Sequence, residues 1–403
     1  MEYHFKDFTV IQNKQKALTT ESQHNEKRQP LLFNQHIAAD ALRLHKTIPG
    51  YGPTPLLSFN ELAEAMHVRG IYCKNEASRF GLNAFKGLGG AYAMFRILCE
   101  KLNLDHTAVD FRDFQDEALR KRCAQIHFVT ATDGNHGKGV SWAAKLFGCS
   151  ASVFLPKGSA EVRRKAIEDA GNATAEITEL NYDQAVEHCW KLAQEKGWIL
   201  IQDTAWDGYE QYPEWIIDGY LTLVVEAAHQ LENNVPTHVF LQAGVGAMAG
   251  GVMECLLSYY RKKPPLVSIV EPTEAACIYQ SAKIGDGQHH AIEGNPATIM
   301  AGLNCGTPCR LTWPFLRDKA SFFCACDDVI TEEGMRAYAN PVGGDATVIA
   351  GESGAVTFGL ARRILQDETL RRLFRINEDS VILLINTEGD TDPENYKRII
   401  ASS

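Results

Sequence analysis

The chain has 403 residues, 45% of them hydrophobic and 22% charged, with a formal net charge of −10. That length suits two domains better than one simple core, and the composition is globular rather than disordered. The acidic balance argues against a nucleic-acid surface, which needs a basic patch, and no apolar run is long enough to span a bilayer.

The opening MEYHFKDFTVIQNKQK lacks the apolar centre of a signal peptide, so the expected address is the cytoplasm. Residues 1–30 are polar without a period and read as a loosely held extension. The eleven cysteines are scattered, odd in number and free of any CxxC pair, so neither a disulfide framework nor a metal site is expected. Cys324 and Cys326 share one face of the strand-like FFCAC and read as buried small apolar residues.

After the turn-rich YGPTPL, strands and helices alternate. IHFVTAT (126–132) reads as a strand, followed by a helix over GNHGKGVSWAAKLF that Gly148 closes. ASVFLP, AEITEL and WILIQDT continue as strands, with helices between them, the second over 183–196. THVFLQA (237–243) runs into the turn GVGAMAGG and a further helix. PLVSIVEP and VILLINTEG (381–389) are late strands, and 280–312 reads as an irregular loop. Continuous apolar strands separated by helices mean parallel sheets covered on both faces. The fold class expected is α/β, with two open twisted, mostly parallel sheets and helices on both faces of each. The expected domains are a large one from 1–88 and 205–403 and a small one over 89–204. In such folds ligands sit beyond the carboxyl ends of the strands, where the glycine turns of this chain fall.

Four stretches carry chemistry. In Asn83-Ala-Phe-Lys86-Gly-Leu-Gly-Gly-Ala91, a lysine sits just ahead of a glycine-rich helix start, whose positive field favours a neutral, nucleophilic amine; a random lysine is more often a surface residue. Thr130-Ala-Thr-Asp-Gly-Asn-His-Gly137 ends a strand, and its amides could hold a substrate carboxylate or simply form a turn. The turn Gly244-Val-Gly-Ala-Met-Ala-Gly-Gly251 could cradle a phosphate. It also fits the dinucleotide fingerprint, with Glu271 where a ribose-binding acid would sit, so an NAD-dependent enzyme is a rival reading. In Asn386-Thr-Glu-Gly-Asp-Thr391, Thr387 could meet a pyridine nitrogen or cap a turn.

Taken in order, NAFKGLGGA, TDGNHG, GVGAMAGG and NTEG resemble the fold-type II pyridoxal-phosphate enzymes, the tryptophan synthase β and threonine dehydratase group. The resemblance runs from about residue 50 to the C-terminus. Within the group the chain is most similar to the diaminopropionate ammonia-lyases, through Asp133 in TATDGNHG and Asp203 in LIQDTAWDGYE.

This resemblance implies α,β-elimination of D- and L-2,3-diaminopropionate to pyruvate and two ammonia, with serine or threonine dehydration as the alternative on the same scaffold. It implies pyridoxal 5′-phosphate bound covalently by Lys86, with Asn135 at its 3′-oxygen. Amides of Gly244, Val245, Gly246, Ala247 and Met248 would hold its phosphate, and Thr387 would face its ring nitrogen. Thr132, Asp133, Asn135 and His136 would receive the substrate carboxylate, and Lys86, Asp133 and Asp203 would act in catalysis. The valine and alanine of the phosphate turn replace glycines of many relatives, which is tolerable where φ stays negative. A homodimer is the implied assembly. Cys277 and Cys305 flank the irregular segment and are expected as thiols or a labile bridge.

Overall fold

The computed structural model describes residues 1–13, 32–132, 134–292, 294 and 296–402. Asp133 therefore lies outside the described residues, as does most of the expected N-terminal extension. The chain divides into two compact units. The larger comprises Met1–Gln35, Thr54–Ala77 and Leu223–Ser403, and the smaller His36–Pro53 and Ser78–Thr222.

In chain order the strands are β1 (Glu2–Phe5), β2 (Phe8–Gln12), β3 (Leu56–Ser58), β4 (Gly70–Asn75), β5 (His127–Ala131) and β6 (Ser150–Leu155). Then follow β7 (Ala173–Ile177), β8 (Ile199–Leu200), β9 (His238–Gln242), β10 (Leu266–Pro272), β11 (Phe322–Cys326) and β12 (Val381–Asn386).

The smaller unit holds a four-stranded sheet, ordered β7-β6-β5-β8 and parallel throughout. The larger holds eight strands, ordered β1-β2-β11-β10-β9-β12-β4-β3. Its five inner strands from β11 to β4 are parallel, and antiparallel strands finish both edges. The wholly buried runs HVFLQ, VILLIN and FFCAC mark strands covered on both faces, as their continuous apolar character requires. Cys324 and Cys326 are buried in β11 as expected. No helix among the described residues is long and apolar enough to cross a membrane.

Two expectations need correction. The first dozen residues are not loosely held: β1 and β2 form a hairpin, and β2 pairs antiparallel with β11, Phe8 opposite Cys326 and Val10 opposite Cys324. Averaging over thirty residues hid the β-branched FTVIQ, whose Phe8 and Val10 are buried. Such pairing covers a strand edge that would otherwise be open.

The second concerns the unit boundaries, which fall at 78 and 222 rather than 89 and 204, with 36–53 added to the smaller unit. Helix Gln211–Tyr220 lies too close to helix Gly87–Leu102 to belong elsewhere. A Cβ on Gly89 would stand 2.7 Å from the Ile216 carbonyl oxygen, and one on Gly219 would stand 2.6 Å from that of Leu88. Only glycines allow that approach. Helix Gln35–His45 joins them through the buried His45 ring, bonded to Thr222 Oγ1 at 2.7 Å and to the Leu88 carbonyl at 3.0 Å.

Candidate active site

In the smaller unit the site is built on the carboxyl ends of the neighbouring strands β5 and β8. Gln202, just past β8, ties the two: its Oε1 accepts from Thr130 Oγ1 and from the Ala131 amide, both at 3.0 Å. Tyr209 fixes the same strand end, its hydroxyl donating to the Leu200 carbonyl (3.1 Å) and accepting from the Gln202 amide (2.8 Å). Asp203, the next residue, is therefore carried on a short, clamped segment.

Lys86 stands at the N-cap position of helix Gly87–Leu102. Its Nζ donates a hydrogen bond to Asp203 Oδ2 and lies 5.4 Å from the Phe85 ring centre and 5.6 Å from that of Tyr220. A cation is attracted by both aromatic faces. The Lys86 and Asp203 side chains are 20% and 13% exposed, which leaves the pair reachable yet poorly hydrated.

His136 completes the group. Its Nε2 must carry the proton, because it bonds the Ile201 carbonyl at 2.8 Å, and Nδ1 lies 3.9 Å from Asp203 Oδ2. Burial lowers the His136 pKa, so the ring is neutral near pH 7. Burial alone would raise the Asp203 carboxyl; the charge His136 carries once protonated in acid, and that of Lys86, outweigh it and hold the pKa at about 2. Asp203 is thus a firm carboxylate beside an amine.

The expected carboxylate nest divides. Thr132 Oγ1 accepts from the amides of Gly134 (2.9 Å) and Gly137 (3.0 Å), so its oxygen closes the turn itself. His136 is turned to Ile201 and Asp203, as above. Asn135 is the first residue of helix Asn135–Phe147, where an anion meets the helix field. Asp133 lies outside the described residues.

In the larger unit the corresponding place is the carboxyl ends of β9 and β12, again neighbours and again tied by a glutamine. Gln242 Nε2 donates to the Ile385 carbonyl (2.9 Å) and to Thr387 Oγ1 (3.0 Å). Since the Thr387 oxygen accepts there, its proton is left to give. The turn Gly244–Met248 leads from β9 into helix Ala247–Tyr259. Within this turn only Gly246 takes a positive φ, 86°, so valine and alanine fit at 245 and 247. A Cβ on Gly244 would meet Leu303 Cα at 3.2 Å and Cys305 Sγ at 3.3 Å. Cys277 Sγ donates to the Gly244 carbonyl at 3.7 Å, and neither Cys277 nor Cys305 forms a disulfide.

Glu271 decides the dinucleotide reading. Its buried carboxylate accepts from the amides of Ile278 (2.8 Å) and Tyr279 (2.6 Å), at the start of helix Cys277–Ile284. Burial pushes its pKa up to about 8, against the pull of those amides. An acid wholly buried against a helix start is not presented to a ribose.

Residues 47–388 match the family model of the pyridoxal-phosphate dependent enzymes. The chain belongs to that family. It is 45% identical over 376 residues to the diaminopropionate ammonia-lyase of Salmonella typhimurium, covering 92% of this chain and 93% of the relative. It is likewise 45% identical over 374 residues to that of Escherichia coli, covering 92% of each. The crystal structure of the Escherichia coli enzyme in complex with D-serine superposes with a TM-score of 0.88 at 42% identity, over 98% of this chain and 97% of that one. A threonine deaminase of Solanum lycopersicum, at 19% identity and a TM-score of 0.69, shares the fold. Lys86 is an amine at one helix start. The Gly244–Met248 turn stands at another, with little room for a side chain at Gly244. Thr387 is a hydroxyl with a proton to give.

The sequence alone missed Gln202, Gln242, Phe85 and Tyr220. A polar residue closing an apolar strand, as Gln242 does in THVFLQ, is the signal that could have marked the first two. The two rings are ordinary apolar residues until a fold sets them beside Lys86.

Proposed function

We propose that this chain eliminates ammonia from 2,3-diaminopropionate, in both D and L forms, leaving pyruvate and a second ammonia after hydrolysis of the released aminoacrylate. The observation that carries the reading is the Lys86–Asp203 pair, an amine beside a firm carboxylate at the carboxyl edge of the smaller sheet. The two 45%-identical relatives support the diamino acid over serine or threonine.

When bound, pyridoxal phosphate supplies an electron sink for the charge left as the α-proton departs. Lys86 would hold it, and as a free amine would take the α-proton of the L form. Amides of Gly244, Val245, Gly246, Ala247 and Met248 would hold its phosphate, Asn135 would bond its 3′-oxygen and Thr387 would donate to its ring nitrogen. A neutral donor such as Thr387 leaves that ring less electron-withdrawing than a carboxylate partner would, which favours prompt elimination. The β-amine leaves well only as ammonium, so a carboxylate must hold that end in its protonated form. Asp203 has that role, and Asp133 takes the α-proton of the D form. The substrate carboxylate is received at 132–136, chiefly by the turn amides and Asn135. A homodimer working in the cytoplasm is part of the same proposal.

The test is steady-state pyruvate formation from D- and L-2,3-diaminopropionate, L-serine and L-threonine by the cofactor-loaded chain. The diamino acids should give the highest kcat/KM. A higher value for serine or threonine would overturn the assignment in favour of a dehydratase.

A further inference from the structure

Tyr220, the last residue of helix Gln211–Tyr220, is fully buried, and its hydroxyl makes no well-formed hydrogen bond among the described residues, though Lys86 stands near enough to act on its proton. A buried polar atom left so is uncommon and calls for a reason. The close approach at Gly89 and Gly219 brings this residue in. Tyr220 Cε1 would stand 2.4 Å from a Cβ on Gly89, three residues beyond Lys86. Its ring packs on Phe85 at 4.7 Å between centres, and the two rings together face Lys86 Nζ. Asp203, past β8, and His136, on helix Asn135–Phe147, are the other titratable groups set there.

Lys86 works in two states. As an ammonium it is matched by Asp203 and by the aromatic faces. As a neutral amine, the form that attacks a carbonyl or takes a proton, it carries a lone pair that neither a carboxylate nor a π face can satisfy. A phenol can. Burial pushes the Tyr220 pKa up, so its hydroxyl keeps its proton and remains a donor.

We propose that Tyr220 is a positioning residue for Lys86, its hydroxyl donating a hydrogen bond to the ε-amine whenever that amine is uncharged. The proposal rests on Lys86 being the working amine of the site. Each protonation state of the lysine then has its own partner, Asp203 for one and Tyr220 for the other. The glycines at 89 and 219 are what allow the second partner to be present.

The test is the pH dependence of Lys86 labelling by trinitrobenzenesulfonate in the cofactor-free full chain, read by peptide mapping. Tyr220→Phe keeps both rings and removes the hydroxyl. It should move the labelling midpoint upward by about half to one pH unit, the size of one net hydrogen bond. In the loaded enzyme the acid limb of kcat for the L substrate should move the same way, with KM little changed. Fluorotyrosine placed at 220, a stronger donor, should move both downward and serves if the phenylalanine variant folds poorly. Thr222→Val, which removes only the bond to His45, should leave the midpoint in place. An unmoved or lowered midpoint in Tyr220→Phe overturns the proposal. Borohydride fixing the cofactor to a lysine other than Lys86 would instead overturn the reading of the site on which the proposal rests, whatever the labelling midpoint does.

Discussion

The carboxyl edges of the two sheets are built alike and equipped differently. In each, two neighbouring parallel strands are tied at their ends by one glutamine, Gln202 across β8 and β5 and Gln242 across β9 and β12. The smaller unit then presents Lys86, Asp203 and a neutral His136. The larger presents a hydroxyl, Thr387, and the amides of a helix-start turn. On the proposed function, groups that exchange protons stand at one edge and groups that hold and polarise at the other. An elimination needs both, and needs them not to interfere: a titrating group against a ring nitrogen would make the electron sink depend on pH.

Changes on the ionic side should cost most. Lys86→Ala should lower kcat/KM on the L substrate by about 10⁴-fold, the upper end of what a positioned base contributes. Its thermal midpoint should stay within a few degrees of the parent. Equal activity in this variant would dissolve the contrast between the edges.

Asp203→Asn should lower kcat/KM by about 10²-fold on both enantiomers, by weakening the hold on the leaving ammonium. The same variant reports stability. The carboxyl pKa falls from the usual 3.8 to about 2 on folding. Its contribution, about 2 kcal/mol, is therefore complete above pH 3.8 and lost as pH falls through 2. Chemical unfolding of parent and variant should differ by that amount at pH 6 and converge near pH 2. A gap that widened in acid would reverse the assigned sign.

On the neutral side effects should be smaller. Thr387→Val removes one hydroxyl and leaves Gln242 bonded to Ile385. A loss of about tenfold in kcat is expected, one hydrogen bond's worth, with no change in the pH profile. A shifted profile would mean that this edge also takes part in proton transfer.

Much of this was legible in the sequence, for physical reasons. Continuous apolar strands such as VILLIN announce two covered faces, and glycine turns after them announce helix starts. Lys86, Asp203, Thr387 and the 244–248 turn were singled out because the order of the motifs resembles the pyridoxal-phosphate enzymes, each motif alone being ambiguous. What escaped were contacts across sequence. Gly89 against Ile216 sets the unit boundary, and nothing local in either segment says so. FTVIQ became a strand only because FFCAC, three hundred residues away, offers an edge. Thr132 Oγ1 accepts from two amides of its own turn, a structural duty that nothing in the sequence announced. Glu271 looked like a ribose partner until helix Cys277–Ile284 was seen to occupy it.

The sheet order of the larger unit has a consequence for how the chain is made. β12, residues 381–386, lies between β9 and β4, so the middle of that sheet is supplied by a late stretch of polypeptide. During synthesis β4 and β3 emerge early with no neighbour on their inner side, while β9, β10 and β11 assemble without them. Residues 78–222 meanwhile contain all four strands of the smaller sheet and can close their own core as they leave the ribosome. The larger sheet must join its two halves last, by pairing of strands far apart in sequence, which is the slow and aggregation-exposed kind of step. A ribosome stalled short of residue 381 would therefore hold a finished small unit and a large sheet in two pieces, each with an open parallel edge for a chaperone to cover.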